Sequence, residues 1–394
     1  MTKREVVFLS GVRTAIADFG GSLKNIPPTE LAGQVVAESL NRAGADPQAV
    51  GHCVIGTVTH SDRRDMYMSR VAALKGGLPE TTPALTVNRL CGSGLQAVIS
   101  AAQLVLLDDA DLVVAGGAES MSRVPMWLPT ARFGQKMGDG QMIDPMVGAL
   151  TCPINDTHMG ITAENIATKW DISRQAQDAA ALESHQRAQR ALEEKRFASQ
   201  IMPVDLVTRK GTTTFTVDEH VRFDCTIQDM EKLRPAFKKD GSVTAGNASG
   251  INDAAAALVM ADSQYAKENG LKPLAKLVGY AFAGVAPDVM GIGPVPAVEK
   301  LLAKTGVSKD DIDVWEVNEA FAAQALAVCR ELDLDMEKVN PNGSGISLGH
   351  PIGATGALIT VKAIHELARI QGKYAVITMC IGGGQGIAAL IERV

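Results

Sequence analysis

The chain has 394 residues, of which 46% are hydrophobic and 21% are charged, the composition of an ordinary globular protein long enough for two or three domains. Its 38 basic and 44 acidic residues give a net charge of -6, which argues against a nucleic-acid partner because nucleic-acid-binding surfaces are normally basic. No apolar run approaches the roughly 20 uncharged residues of a membrane-spanning helix, so we expect no association with a membrane.

Strands and helices alternate over the first 120 residues. The pattern predicts a strand near residues 6–10, a helix near 30–43 and a second strand near 50–58. Residues 83–90 then read as a short buried strand, and 95–107 as a helix that is apolar on nearly every face. A further strand ends this region. Such alternation predicts an α/β fold with a parallel or mixed sheet covered by helices on both faces.

The second half of the chain repeats this pattern at a constant offset of 262 residues. The segment 44–56 lines up with 306–318, and both read as a loop that runs into a strand. Gly94 lines up with Gly356 inside two matching helical patterns. A third segment matches at the same offset without a gap. The sequence therefore predicts a duplicated unit.

The repeat divides the chain into three predicted regions. Residues 1–120 form an N-terminal half, which a segment at about 250–272 completes, and residues 273–394 form a C-terminal half. Residues 121–249 have a different texture, with Met- and Gly-rich stretches and a long acid–base helical run, and are interpreted as an inserted loop domain. Ligand crevices in α/β folds form at the carboxyl ends of strands and between domains. We therefore expect a site at the strand ends of the two halves.

The cysteines and the N-terminus indicate the compartment. Six cysteines are scattered singly, without a Cys-x-x-Cys pair or a nearby histidine at zinc spacing. The chain enters its first predicted strand too early to leave room for a signal peptide. We therefore expect a cytoplasmic protein without a disulfide framework or a metal site, although a chain stripped of a transit peptide would look the same.

Four unusual side chains stand at equivalent ends of the repeated strands. Cys91 lies at a strand-to-helix turn, where helix N–H groups stabilise a thiolate. Asn318 and Cys380 end two strands of the second half, and His350 precedes the helix that mirrors the one after Cys91. Each alone has a structural alternative, as a buried thiol, a helix cap or a turn histidine. Together they predict a pocket in which a histidine base activates one thiol for acyl transfer, while a second thiol moves a proton next to a carbonyl.

Glycine-rich segments accompany these residues. The stretches "GSGLQA" at Gly92 and "GQGIAA" at Gly384 both match the dinucleotide-binding fingerprint loosely. The acidic residues after the first stand at the end of the same helix rather than of the next strand, and the second leaves no room for a helix. We instead interpret these glycines as sites where backbone N–H groups approach a reacting carbonyl, as in an oxyanion hole.

The motifs "NRLCGSGLQAV", "NEAFAAQ", "NPNGSGISLGHPIGATG" and "CIGGGQGIAA", in this order and spacing, resemble those of the thiolases over essentially the whole chain. The resemblance implies a fold of two similar βαβαβαββ halves in a five-layered α/β/α/β/α core with an inserted loop domain. It also implies reversible Claisen condensation of acetyl-CoA with a short acyl-CoA to 3-ketoacyl-CoA and CoA, without a metal or redox cofactor. "RDMYMSR" and "VMGIGPVP" look most like bacterial broad-specificity β-ketothiolases associated with polyhydroxyalkanoate synthesis, and we expect ketoacyl products of C4 to C5.

The resemblance assigns roles by position. Cys91 matches the nucleophile that takes the acyl group, His350 the base that activates it, and Cys380 the acid/base at the acetyl methyl group. Asn318, through a water, and His350 match one oxyanion hole, and the N–H groups of Cys91 and Gly382 match the other. Further positions match contacts to the pantetheine arm (His158, Met159, Ser249), to the rest of CoA (Arg222, Leu233, Phe237) and to the acyl group (Leu150, Met290, Ala320, Phe321).

Two alternatives stay open beside the thiolase interpretation. A ketoacyl synthase-like condensing enzyme would use one cysteine with two histidines, whereas Asn318 stands here at the second histidine position and Cys380 adds a second thiol. An inactive lipid-binding relative would be expected to lose a reactive residue, and none is missing. The expected partners are acyl-CoA, acetyl-CoA, CoA and further copies of the chain. Family members commonly form tetramers through a loop for which residues 132–146 are the candidate.

Overall fold

The computed structural model describes residues 4–394, so residues 1–3 of the predicted N-terminal half lie outside the described part. The elements of the first part of the chain are β1 (Val6–Arg13), β2 (Ala17–Asp18), α1 (Pro28–Ala43), β3 (His52–Gly56), α2 (Met68–Lys75), β4 (Ala84–Val87), α3 (Ser93–Leu106) and β5 (Leu112–Ser120). The middle of the chain contains α4 (Pro145–Ala149), β6 (Thr151–Cys152), β7 (Thr157–His158), α5 (Met159–Lys169), α6 (Arg174–Glu193), β8 (Val204–Thr208), β9 (Gly211–Phe215) and α7 (Ile227–Glu231).

The remaining elements complete both halves. They are β10 (Asn252–Asp262), α8 (Ser263–Glu268), β11 (Ala275–Gly284), α9 (Pro294–Thr305), β12 (Ile312–Val317), α10 (Ala322–Glu331), α11 (Gly345–Leu348), α12 (Thr355–Ile370), β13 (Tyr374–Ile381) and β14 (Gln385–Arg393). The helices and strands that carry the site are thus α3 with β5 in the first half and α12 with β13 in the second. α12 begins 262 residues after α3, and β13 begins 262 residues after β5.

The main sheet has ten strands, with β2 attached to β10 and the others in the order β12-β13-β14-β11-β1-β10-β5-β3-β4. β3 runs parallel to β4 and β5, and β12 runs parallel to β13, whereas the other neighbours are antiparallel. The halves meet where β1 pairs with β11 at only two positions, Val7 with Lys276 and Phe8 with Ala275. The predicted α/β fold with a mixed sheet is confirmed.

Helices cover both faces of each half. α1 packs on β10, β1 and β5, and α9 packs on β11 and β14, on the two outer sides. α3 contacts β5 and β3, α12 contacts β13 and β12, and α3 and α12 contact each other. These contacts place α3 and α12 together in a central layer between the two halves. The N-terminal ends of both helices, which carry the predicted reactive residues, are therefore neighbours.

The crossing of α3 and α12 depends on the two glycines that the repeat relates. A Cβ built on Gly94 would lie 2.6 Å from the backbone nitrogen of Ala357, and one built on Gly356 would lie 2.2 Å from that of Leu95. These obstacles are backbone atoms, which cannot rotate away. Only glycine at both positions lets the helices approach this closely.

We expect Gly94→Ala to destabilise the protein by about 3 kcal/mol, because the added methyl group forces apart two packed helices. The matched control is Gly148→Ala, since a Cβ at Gly148 would meet no heavy atom within 4 Å. Urea unfolding of the parent and both variants measures the difference. Equal midpoints for the two variants would contradict the requirement for glycine at the crossing.

One predicted element differs from the structure. The segment 83–90 was expected to be a buried strand, but β4 spans only Ala84–Val87 and Leu85 is 45% exposed. The reason is that β4 pairs only with β3 and forms an edge of the sheet, a position that an apolar run does not reveal. Across residues 4–394, no helix combines the length and the apolar character that crossing a bilayer requires.

Candidate active site

Cys91 lies in the turn between β4 and α3, two residues before the helix begins. Burial raises the pKa of its thiol to about 11. The backbone N–H groups of Gly382 and of Cys91 itself face the sulfur and oppose this effect, because they stabilise the thiolate. Cys91 is therefore a neutral thiol at pH 7 in the resting protein, and a base must remove its proton before it can attack.

Cys380 lies near the C-terminal end of β13 and is 1% exposed. Burial raises the pKa of its thiol, and the charge of a Cys91 thiolate raises it further. The two sulfurs are thus close enough for the ionisation of one to oppose that of the other. A pair with this coupling can hold one negative charge and pass a proton between its members.

His350 is 5% exposed and is held on two sides. Its backbone N–H donates to Oδ1 of Asn252 at 2.9 Å, and its Nδ1 lies 2.7 Å from Oγ1 of Thr355. The Thr355 hydroxyl donates its only hydrogen to the carbonyl of Pro351, so its oxygen accepts from His350 and Nδ1 carries the proton. Nε2 is then the free base, and it is buried without a hydrogen-bond partner. Burial lowers the pKa of His350 to about 4, which keeps the ring neutral.

Asn318 follows β12 and is completely buried. Its backbone N–H donates to the carbonyl of Thr378 at 3.0 Å, but neither atom of its side-chain amide has a hydrogen-bond partner. A buried amide without partners is rare in folded proteins. The helix-cap alternative for Asn318 is excluded, because α10 begins at Ala322. The free amide is therefore available to a ligand or a water.

Glu119, which was not among the predicted site residues, joins the two halves at this centre. It is completely buried, and its carboxylate accepts from the backbone N–H groups of Val58, Thr59 and Gly353 at 2.9 to 3.1 Å. Burial raises the pKa of Glu119 to about 7, against the effect of these hydrogen bonds. Gly353 belongs to the loop that carries His350. The one sequence signal for this role was an ionisable residue at the end of an otherwise apolar strand.

Most of the predicted CoA and acyl contacts lie together beside Cys380. Met159, Met290, Ala320 and Phe321 form one buried apolar cluster with it. The ring of Phe237 packs against this cluster and stacks on that of His158 with 4.9 Å between centroids. Two more predicted residues flank it through backbone hydrogen bonds: the N–H of Ser249 donates to the carbonyl of Ala320, and the carbonyl of Leu150 accepts from Met159.

Two predicted contacts lie apart from this cluster. The side chain of Arg222 is exposed, and its backbone N–H donates to Nδ1 of His185. Leu233 packs in a separate cluster with Met230 and Ile346. Neither residue borders Cys380, so any contact that they make with a ligand is to a part far from the reacting thioester.

We expect His350 to make the fold less stable in acid. Its pKa lies near 4 in the folded protein, against an ordinary value of 6.5, so the unfolded chain binds the proton more tightly. The free energy of unfolding therefore keeps its full value above pH 6.5. It falls by about 3 kcal/mol in total as the pH is lowered from 6.5 towards 4. Urea unfolding between pH 4 and 7.5 measures this loss.

The control for this measurement is His350→Asn, which keeps a side-chain N–H for Thr355 but does not titrate. Its stability should fall by about 3 kcal/mol less than that of the parent over the same pH range. His185, whose pKa burial also lowers to about 4, contributes equally to both proteins. Identical pH profiles for parent and variant would contradict the assignment.

Comparisons with known proteins identify the family of the chain. The family model "Thiolase, N-terminal domain" matches residues 6–264, and "Thiolase, C-terminal domain" matches residues 271–393. The chain is 62% identical over 392 residues to beta-ketothiolase BktB of Cupriavidus necator, covering 99% of this chain and 100% of that one. It is 49% identical to an acetyl-CoA acetyltransferase of Chromobacterium violaceum, covering 99% and 100% of the two chains.

Solved structures match over the same extent. The acetyl-CoA acetyltransferase of Bacillus anthracis superposes with a TM-score of 0.97 at 48% identity, covering 100% of this chain and 99% of that one. Human mitochondrial 3-ketoacyl-CoA thiolase in complex with CoA superposes with a TM-score of 0.96 at 44% identity, covering 99% and 98% of the two chains. The predicted thiolase fold is confirmed, and the chain belongs to the thiolase family.

Proposed function

We propose that the protein is a β-ketothiolase that catalyses reversible Claisen condensation of acetyl-CoA with a short acyl-CoA to a 3-ketoacyl-CoA and CoA. The observations that carry the proposal are two coupled thiols and a neutral histidine with a free, buried Nε2, which precedes α12 as Cys91 precedes α3, the helix that α12 contacts. Acyl transfer needs the first thiol and the base, and carbon–carbon bond formation needs the second thiol.

The first step transfers the acyl group to Cys91. His350 Nε2 removes the thiol proton, and the sulfur attacks the carbonyl carbon of the acyl-CoA. The tetrahedral intermediate collapses as the bond to the CoA sulfur breaks, and the proton on His350 passes to that leaving sulfur. The products are an acyl-Cys91 thioester and free CoA, so neither an electron acceptor nor a metal is required.

The second step forms the carbon–carbon bond. Cys380 first gives its thiol proton to Nε2 of His350, which is neutral again after the first step, and the resulting thiolate removes a proton from the methyl group of acetyl-CoA. The resulting enolate attacks the carbonyl carbon of acyl-Cys91, the bond to the Cys91 sulfur breaks, and the 3-ketoacyl-CoA leaves. The proton held by His350 then passes to the Cys91 thiolate, which restores both thiols and the neutral histidine. Thiolysis is the same sequence in reverse.

Two sets of donors face the carbonyl oxygens in this mechanism. The backbone N–H groups of Cys91 and Gly382, which face the Cys91 sulfur, stabilise the oxyanion on the acyl group carried by that sulfur. The Asn318 amide, through a water, and His350, once its Nε2 carries the proton from Cys380, stabilise the enolate oxygen of acetyl-CoA. The free amide of Asn318 supports this second assignment.

The proposal extends to binding, assembly and location. The cluster of Met159, Met290, Ala320 and Phe321 would hold the acyl and pantetheine groups, and no cofactor besides the CoA substrates is needed. Three large apolar side chains of the loop at residues 132–146, Phe133, Met137 and Met142, are more than half exposed, which supports assembly into a tetramer through this loop. All six cysteines are free, which supports a reducing, cytoplasmic location. A role in polyhydroxyalkanoate synthesis is the proposed pathway context.

The test is CoA-dependent cleavage of acetoacetyl-CoA by the purified protein, with both products quantified by chromatography. We expect two acetyl-CoA for each acetoacetyl-CoA consumed, and the reverse reaction when acetyl-CoA is supplied alone. A decarboxylating condensing enzyme would instead require malonyl-CoA and release carbon dioxide. Absence of cleavage in a folded protein would leave only the lipid-binding interpretation.

A further inference from the structure

A cavity of about 720 Å³ lies directly beside the turn that carries Cys91. Its wall comes from three parts of the chain, at residues 58–66, 88–90 and 124–149. Val58, Met66, Val124, Trp127 and Ala149 make much of this wall apolar. The volume is in the range of ordinary small-molecule sites, and no residue of the mechanism lines it. Thr59, His60, Ser61, Asp62, Arg63 and Asn88 complete the wall, so a hydrocarbon chain would lie along its apolar part.

Leu90 borders both this cavity and the reaction centre. Its side chain lines the cavity, and its Cδ1 would lie 3.4 Å from a Cβ built on Gly382, beside Met159 Cε at 3.3 Å. Gly382 is the residue whose N–H faces the Cys91 sulfur. One leucine side chain thus borders the space above the nucleophile on one side and the cavity on the other.

The backbone fixes Leu90 in this position. Its φ of 47° lies in the left-handed region, which leucine rarely adopts. Two hydrogen bonds hold the turn: the N–H of Leu90 donates to Oδ1 of Asn88 at 2.9 Å, and the Ser93 hydroxyl donates to the carbonyl of Leu90 at 2.6 Å. Strained conformations that the surroundings enforce in this way are concentrated at functional sites.

In the amino-acid sequence, residues that line the cavity directly precede a residue of the proposed acyl pocket. Gly148 and Ala149 line it, and they directly precede Leu150, whose carbonyl is bonded to Met159 of the apolar cluster. Because Leu90 lies next to Gly382 and also lines the cavity, an acyl chain that extends from Cys91 towards the cavity would meet Leu90 first.

We propose that Leu90 sets the upper limit of acyl-chain length by closing the acyl pocket against this cavity. Short acyl groups fit on the Cys91 side of the leucine. The saturated tail of a longer 3-ketoacyl-CoA would enter the cavity only when the side chain is removed. This inference rests on the proposed thiolase function, because it concerns the acyl group carried by Cys91.

The test compares thiolysis of acetoacetyl-CoA and 3-ketooctanoyl-CoA by the parent and by Leu90→Ala. Each additional buried methylene is worth about a fourfold gain in binding, and the longer substrate has four more. We expect kcat/KM for 3-ketooctanoyl-CoA to rise at least about tenfold in the variant. Leu90→Gly provides a second variant if alanine disturbs the turn, because glycine adopts a left-handed φ without strain.

Two further variants locate the effect. Leu85→Ala removes a leucine of β4 that does not line the cavity, and it should leave the ratio of the two kcat/KM values as in the parent. Ala149→Phe fills the cavity, and in the Leu90→Ala background it should return the ratio to the parental value. In the parent background Ala149→Phe should change neither substrate's kcat/KM.

Two results would overturn the proposal. One is an unchanged kcat/KM for 3-ketooctanoyl-CoA in both Leu90 variants while they still cleave acetoacetyl-CoA. The other is a selective loss of 3-ketooctanoyl-CoA cleavage in Ala149→Phe alone, which would mean that the cavity is already in use with Leu90 present. Failure of the thiolase function itself would be distinct, because the parent would then cleave neither substrate.

Discussion

Replacing Cys91 with serine is expected to lower kcat for thiolysis by at least about ten-thousand-fold, since removal of a covalent nucleophile removes the intermediate itself. A serine hydroxyl is far less acidic than a thiol, and His350, with a pKa near 4, is too weak a base to ionise it. The backbone N–H groups of Cys91 and Gly382 stay in place. The loss therefore reports on the nucleophile and not on the surrounding donors.

Intact mass after brief exposure to acetyl-CoA measures the same step directly. The parent should gain one acetyl group, located by peptide mapping on Cys91 and removed when free CoA is added. Cys91→Ser should gain none. Cys225→Ser is the matched control, because Cys225 is a partly exposed thiol in the middle region of the chain, and it should acetylate like the parent. An adduct that persists in Cys91→Ser would assign the nucleophile to another residue.

The duplicated parts of the fold could be predicted from the sequence because a repeat is visible wherever two segments share the same local pattern. The helices around Gly94 and Gly356 follow that pattern, and so do β5 and β13. The repeat aligned the two glycines, but only the structure shows that the helices cross at them, where a side chain at either position would meet backbone atoms. Cys91, His350 and Cys380 stand next to these elements, so the same repeat placed them near one another.

The hydrogen bonds that hold His350 in place could not be predicted from the repeat. Thr355 fixes the tautomer of His350, Asn252 holds its backbone, and Glu119 ties its loop to the other half. The last two bonds join residues 98 and 234 positions apart, and no local periodicity records such distances. The exposure of β4 escaped prediction for a related reason, because whether a strand lies at an edge depends on its neighbours in space.

The cavity behind Leu90 illustrates the same limit. The resemblance assigned Leu150, Met290, Ala320 and Phe321 to an acyl pocket, and such an assignment transfers positions but not volumes. Neither the amino-acid composition nor the hydrophobic periodicity of the sequence predicts the positive φ of Leu90. This conformation depends on the hydrogen bonds that Asn88 and Ser93 make to the backbone of Leu90, which only the structure shows.

Replacing Cys380 with serine is expected to separate the two steps of the reaction. Condensation and thiolysis should both slow by about a thousandfold, because a serine hydroxyl cannot act as the acid/base at the acetyl methyl group. Acetylation of Cys91 by acetyl-CoA should continue, since that step uses His350 and the N–H donors. The measurements are the steady-state rate of acetoacetyl-CoA cleavage and the intact mass after mixing with acetyl-CoA.

The matched control is Cys152→Ser, because Cys152 is a completely buried thiol in the same apolar cluster as Cys380. Placing a hydroxyl in that cluster costs stability in both variants, so a common loss would reflect packing. Only Cys380→Ser should combine a stable acetyl group on Cys91 with a lost condensation rate. If Cys91 acetylation were lost together with condensation, Cys380 would act on Cys91 and not on the methyl group of acetyl-CoA. That result would contradict the separate roles proposed for the two cysteines.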